Sequence, residues 1–164
     1  MPALRMVGSI IGCLAVALWL GGIIALGALV APIVFTRVSM PQSADAMTLV
    51  FRRFDLLAMT CAAAALAAEA LRAARAPFTR LDRVRVGVLV LAAIAAVYEG
   101  TNVSPRIAEL HASGAIRGVG IAGVELAKLH DVAEACGKAQ VALLVAVVAL
   151  QVMTLTRTAA TTSA

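Results

Sequence analysis

At 164 residues the chain is one domain's worth of polypeptide, with 62% apolar and only 14% charged residues. Soluble domains average about 45–50% and 25%, so much of this surface must face lipid and an aqueous globular fold is excluded. The net charge of +5 comes mostly from arginines at the ends of apolar runs; these are topology signals, not a nucleic-acid surface.

The first element runs from Met6 to Phe35 with nothing more polar than Ser9, Cys13 and Trp19. Such a run makes roughly 45 Å of helix, more than the about 20 residues a bilayer core requires. It is too long for the apolar region of a secretory signal, about 7–15 residues. Arg5 precedes this span and would hold the amino end in the cytoplasm. Gly8 and Gly12 form a G-x-x-x-G, and Trp19 and Gly22 continue that face, a stripe of small residues on which another span can pack closely. Pro32 lies near the exit and Arg37 marks the interface.

Pro41 breaks the chain. Ser43 is placed to cap the next helix, with Asp45 in its first turn where a carboxylate favours the positive helix end. Met47, Val50, Phe51 and Phe54 recur at helical spacing and Arg52, Arg53 and Asp55 supply a polar side, which predicts an amphipathic lead-in at the interface. It continues into a second span from Leu56 to Leu71, with Glu69 near its end and Arg72 three residues on. Arg72, Arg75, Arg80, Arg83 and Arg85 then crowd one short connection. Such a loop belongs on the cytoplasmic side. The fourteen basic residues divide evenly between the two sides, so loop density decides the orientation.

Thr79 and Asp82 make a T-x-x-D capping pattern that opens the third helix. Its apolar part, Val84 to Tyr98, is short for a crossing and must borrow from Glu99 to Val103, which brings Glu99 and Asn102 to the boundary. Ser104 is expected to cap Pro105 as the start of a short extra helix carrying Arg106, Glu109 and His111. Gly118, Gly120 and Gly123 form a G-x-G-x-x-G, but no strand precedes it as dinucleotide binding requires. A loop is the expectation.

Val124 to Leu155 predicts the fourth helix, ending at Arg157 before a tail, 158–164, expected to be disordered. His130, Glu134 and Lys138 recur at i, i+4 and i+8, with Asp131 and Gln140 nearby. Charged groups in a span mark a functional site by default. The competing structural account is a self-neutralising ladder at the membrane boundary. Together with Glu99, Asn102 and Arg106, these residues outline a candidate polar cleft for a solute or ion. His130 and Glu134 alone give two metal ligands, which is too few for a zinc or copper site. The odd set Cys13, Cys61 and Cys136 lacks a C-x-x-C spacing and fits buried small hydrophobes better than a disulfide framework.

Leu18-Trp19-Leu20-Gly21-Gly22, Ala31-Pro32-Ile33-Val34-Phe35, Phe51-Arg52-Arg53-Phe54, Ser104-Pro105-Arg106-Ile107 and Leu129-His130 follow in this order. In that arrangement the chain resembles the bacterial membrane family called domain of unknown function 4149. The superfamily of that family also holds the eukaryotic transmembrane protein 205, linked to platinum-drug resistance. The resemblance covers most of the chain, from Leu18 to about Leu150, and implies a four-span membrane protein of unestablished chemistry. It carries over Trp19, Gly22, Pro32, Phe51, Pro105, Arg106 and His130. Family members often show a Ser and an Asn after the histidine, where this chain has Glu134 and Gly137-Lys138. A looser likeness to copper-resistance membrane domains keeps a metal role open.

The expected fold is therefore an all-α, antiparallel four-helix bundle in an inner membrane, with spans about 6–35, 46–74, 81–103 and 124–156 and both termini cytoplasmic. The leading expectation for function is non-enzymatic binding or passage of a small solute or ion, without a cofactor. An assembly or scaffold subunit packing through Gly8 and Gly12, as a homo-oligomer or on another membrane protein, is the alternative. Copper or other metal handling is a further one.

Overall fold

The computed structural model describes residues 2–74 and 79–162, with side chains for 7–74 and 79–154. Arg75, and the side chains of Arg5 and Arg157, fall outside the described residues. Every regular element described is helical: α1 (Pro2–Ala25), α2 (Ala31–Arg37), α3 (Gln42–Ala73), α4 (Arg80–Tyr98), α5 (Ser104–Ala112) and α6 (Gly120–Thr162). A π-helical turn, Leu26–Val30, joins α1 to α2, and a second, Glu99–Val103, joins α4 to α5. Four continuous rods result, each long and apolar enough to cross a membrane: Val7–Arg37, Gln42–Ala73, Arg80–Ala112 and Gly120–Thr154. They are referred to below as spans 1 to 4. At 31, 32, 33 and 35 residues each is roughly 50 Å long, so all of them project beyond a hydrocarbon core of about 30 Å.

Both π turns have the same local cause. Each stands just before a proline, in Val30-Ala31-Pro32 and in Val103-Ser104-Pro105. Proline lacks an amide hydrogen and its ring clashes with the carbonyl four residues back. The helix absorbs this by widening one turn, so that the Ala31 N–H donates to the Leu26 carbonyl and the Ser104 N–H to the Glu99 carbonyl. The short helix expected at Pro105 is therefore present, but as an uninterrupted extension of span 3. Ser104 is not its cap; it lies buried on the inner face.

Three other local expectations meet the structure with different results. Thr79 and Asp82 form the reciprocal capping box that opens α4. Ser43 does not cap α3: the helix already begins at Gln42, and the buried Ser43 hydroxyl donates to Met40 Sδ at 3.1 Å. The amphipathic lead-in is also divided differently, with Arg52 and Arg53 exposed but Asp55 turned into the bundle. At the far end α6 continues to Thr162, past the point where a structureless tail was expected.

Spans 1 and 2 pack as one antiparallel hairpin and spans 3 and 4 as another. Along span 2 the inward positions are Ala44, Met47, Phe51, Asp55, Ala58, Ala62, Ala65 and Glu69, in steps of three and four. Span 4 follows the same rule through Leu126, His130, Ala133, Gly137, Gln140, Leu144 and Val147. That spacing is the seam of closely aligned helices. Its members are mostly small: the core gathers Ala15, Ala58, Ala62, Ala65, Ala92, Ala93 and Ala96 around Val16, Trp19, Leu89, Leu144 and Val147. Small side chains let backbones approach in lipid, where packing rather than water expulsion holds spans together. Gly12 lies against Ala68 and Gly22 against the Phe54 ring. Gly12 and Gly22 thus face span 2 of the same chain, while nothing lies within 4 Å of a methyl group placed on Gly8.

Candidate functional site

Two polar layers interrupt the apolar seam. The first is at the end where spans 2 and 3 are connected. Glu69 and Arg72 from α3 meet Asp82 and Arg85 from α4, with Arg72–Glu69 at 2.7 Å, Arg72–Asp82 at 2.9 Å and Arg85–Glu69 at 2.8 Å. Arg85 also donates to the Thr154 hydroxyl of span 4, and Asp82 holds the Thr79 amide and hydroxyl. Two carboxylates face two guanidiniums, so the layer is neutral although Arg85 and Asp82 are buried. Glu69 does pair with Arg72, as the sequence spacing suggested, and Arg85 extends the pair into a network across three spans. A cavity of about 180 Å³ borders it, lined by Gly8, Gly12, Cys13, Glu69, Arg72, Arg85, Gln151 and Thr154 among others.

The second layer lies roughly 21 Å further along the bundle, at 1.5 Å per residue from Arg85 to Glu99. The Trp19 indole of span 1, fully buried, donates from Nε1 to Gln140 Oε1 of span 4 at 3.0 Å. Gln140 Nε2 then donates to Glu99 Oε2 of span 3 at 2.6 Å. An indole can only donate, so it fixes which way the Gln140 amide points and makes the amide offer a donor to Glu99. Asp55 of span 2 acts electrostatically on Glu99, and Ser104 lies beside the Asp55 carboxylate. Each of the four spans therefore contributes a side chain to one level.

Close approach at this level depends on a glycine. A methyl group placed on Gly100 would come within 3.1 Å of Asp55 Cβ and 3.2 Å of Met59 Cε. Asp55 is only 7% exposed, and its Oδ2 has no hydrogen-bond partner among the described residues. The nearby cation is Arg52, one turn earlier on the same helix and itself exposed. Cys136 brings a thiol near Glu99 from span 4. Unlike the first layer, this one has two carboxyls and a single nearby guanidinium, that of Arg52.

The residues singled out from the sequence are distributed over three places. Glu99 belongs to the second layer. Glu134 and Lys138 pair with each other at 2.6 Å with side chains 63% and 76% exposed, and do not turn toward Glu99. The reason is geometric: a helix repeats every 3.6 residues, so each step of four drifts about 40° around the axis. His130 keeps to the seam, half-buried, whereas Glu134 and Lys138 have rotated off it and Gly137 and Gln140 take their place. His130 meets the His111 ring edge-on at 5.8 Å, near the outer junction of α5 and α6. Arg106 pairs with Glu125 and Glu109, each at 2.7 Å, and not with Glu99. Asn102 is exposed and bonds within its own helix to Tyr98 O and Thr101 Oγ1.

Sequence reasoning missed Asp55 as an inward group and gave Gln140 only a supporting place. The seam spacing through Met47, Phe51, Asp55 and Ala58 was the signal that would have found the first. The G-x-G-x-x-G segment forms a tight loop: Gly118 and Gly120 adopt positive φ of 81° and 66°, and Gly118 N–H donates to the Gly123 carbonyl at 2.8 Å. No strand precedes it among the described residues. Nor do three His, Cys, Asp or Glu side chains gather anywhere among the described residues to hold a metal. The second layer offers carboxylate and hydroxyl oxygens, donors suited to hard cations, with the Cys136 thiol near Glu99 and the Met59 thioether beside Gly100.

No curated protein and no solved structure matches the chain. The family model described as Domain of unknown function (DUF4149) matches residues 14–116, which include Trp19, Asp55, Glu99 and Ser104 of the carboxyl layer, and the chain belongs to that family.

Proposed function

We propose that this multi-pass membrane protein is non-enzymatic and binds or passes a small positively charged species at the Asp55–Glu99 layer. One observation carries the reading: Asp55 is buried, with one carboxylate oxygen unpartnered, beside a second carboxyl inside an apolar bundle. Two carboxylates taken out of water this way are costly unless a compensating charge joins them. Arg52 supplies part of that charge from an exposed position, which leaves the layer one positive charge short. A proton or a small cation restores the balance.

The position supports this reading. With hydrocarbon starting at the Arg72–Arg85 layer and about 30 Å thick, the carboxyl layer stands about two-thirds of the way across. Ionisable groups at such depth mark ion and proton pathways by default. We further propose that the arginine-rich end faces the cytoplasm of an inner membrane, with both termini on that side. The carboxyl layer then lies nearer the outer surface.

The test is reconstitution into liposomes carrying an internal pH dye, with a proton or sodium gradient imposed. Dye response in the natural protein that disappears in Asp55→Asn and Glu99→Gln, but survives in Glu134→Gln, is the expected result. Equal responses in all four proteins would remove the carboxyl layer from the function.

A further inference from the structure

The two π turns are built from one sequence device. Gly27-Ala28-Leu29-Val30-Ala31-Pro32 in span 1 and Gly100-Thr101-Asn102-Val103-Ser104-Pro105 in span 3 both read Gly-x-x-Val-small-Pro. In each the amide after the valine bonds five residues back, to Leu26 or to Glu99. The next residue is proline, which has no amide to give. The carbonyl of the glycine thus receives neither the fourth nor the fifth following amide. In transporters, Gly/Pro-marked lapses of helical pairing at corresponding places in two halves point to ion sites, where freed carbonyls hold the ion; here the helix widens by one turn and stays continuous.

The two breaks differ in what surrounds them. Where span 3 has Glu99 and Ser104, span 1 has Leu26 and Ala31. Only the span 3 break faces Asp55, whose backbone neighbour is Gly100 itself. The released Gly100 carbonyl, the free Asp55 Oδ2, the Ser104 hydroxyl and the Glu99 oxygen not held by Gln140 are four hard oxygen donors on two adjacent helices. The groups facing this point are Asp55, Glu99 and Arg52, with neutral Ser104, Gln140, Trp19 and Cys136. With both carboxyls ionised their charges sum to one negative. A divalent ion would reverse the sign of that balance, and magnesium keeps its water shell too tightly for a layer this buried.

We propose that the Glu99–Val103 break binds one dehydrated monovalent metal cation, sodium in the first instance, between the Gly100 carbonyl and the oxygens of Asp55, Glu99 and Ser104. The proposal rests on the reading of the carboxyl layer given above and specifies its ligand. The span 1 break, with the same backbone and no carboxyl, binds none.

The experiment is thermal unfolding of the purified protein in detergent, titrated with sodium chloride against choline chloride at constant ionic strength, and repeated across pH. Binding to the folded form alone raises the midpoint as ligand is added. Sodium should raise it in the natural protein. The half-effective sodium concentration should rise at least about tenfold, the loss of a charge-assisted contact, in Asp55→Asn and in Ser104→Ala. Gly100→Ala, which crowds Asp55, should do the same, while Gly87→Ala, where nothing lies within 4 Å, should keep the natural response. A midpoint that ignores sodium but shifts with pH in an Asp55-dependent way would overturn the metal assignment and leave the carboxyl site standing for a proton. A response to calcium and not to sodium would overturn the monovalent assignment. Indifference to sodium, calcium and pH alike would remove both the ligand and the site.

Discussion

The two polar layers of the bundle are made from similar parts and reach opposite ends. Each draws on at least three spans, and each sets two carboxylates where the seam would otherwise be apolar. At the connection between spans 2 and 3 the carboxylates of Glu69 and Asp82 meet the guanidiniums of Arg72 and Arg85 at hydrogen-bonding distance. Some 21 Å away the Glu99 carboxylate accepts from the Gln140 amide and Asp55 lies beside Ser104, with one exposed arginine, Arg52, acting on Asp55. Buried charge that is matched fixes the fold; buried charge left unmatched asks for a mobile partner. The comparison therefore separates a layer of paired charges from one in which a buried carboxylate oxygen lacks a partner among the described residues.

The largest expected effect is at the matched layer. Arg85→Met strands Glu69 and Asp82 with only Arg72 between them and should cost about 3–5 kcal/mol, the range for breaking a buried pair from one side. Arg85→Lys, keeping the charge but not the fork, should fall between that variant and the natural protein. Thermal unfolding in detergent reads both. Next comes Trp19→Phe, which removes the donor that orients Gln140 and should cost about 1–3 kcal/mol for the buried acceptor left bare.

Asp55→Asn probes the unmatched layer and should go the other way. Removing one of two crowded carboxylates there should cost less than about 1 kcal/mol or stabilise the protein, in contrast to Arg85→Met. If both substitutions destabilised alike, the distinction between the layers would collapse. The smallest effect belongs to Glu134→Ala with Lys138→Ala, an exposed pair whose loss should leave the unfolding midpoint unchanged.

Much of this architecture could be read from composition and hydropathy, because lipid forces helices to satisfy their own backbones and so to announce themselves as long apolar runs. The Thr79–Asp82 capping box was legible for a similar reason: both partners lie within one turn. The site was harder. Counting by fours along α6 aligned His130, Glu134 and Lys138, but the drift of each such step turned the last two outward. Asp55 was read with its sequence neighbours Arg52 and Arg53, although the inward steps through Phe51 and Ala58 carry it to the core. The Trp19–Gln140–Glu99 chain joins residues 121 and 41 positions apart, and no local pattern encodes such a pairing. Proline and glycine at the π turns were visible, yet their matching placement in spans 1 and 3 acquired meaning only beside Asp55.

The alanine-rich seam between the layers has a consequence for rate. Ala62, Ala65, Ala92 and Ala96 close the interior with side chains too short to swing aside, so no wetted column can link one face of the membrane to the other while the rods stay in contact. On the proposed function, a cation crossing the bundle must wait for the rods to part. Electrical recording should then show a silent bilayer, while isotope uptake, which counts slow cycles, is the assay able to see it work.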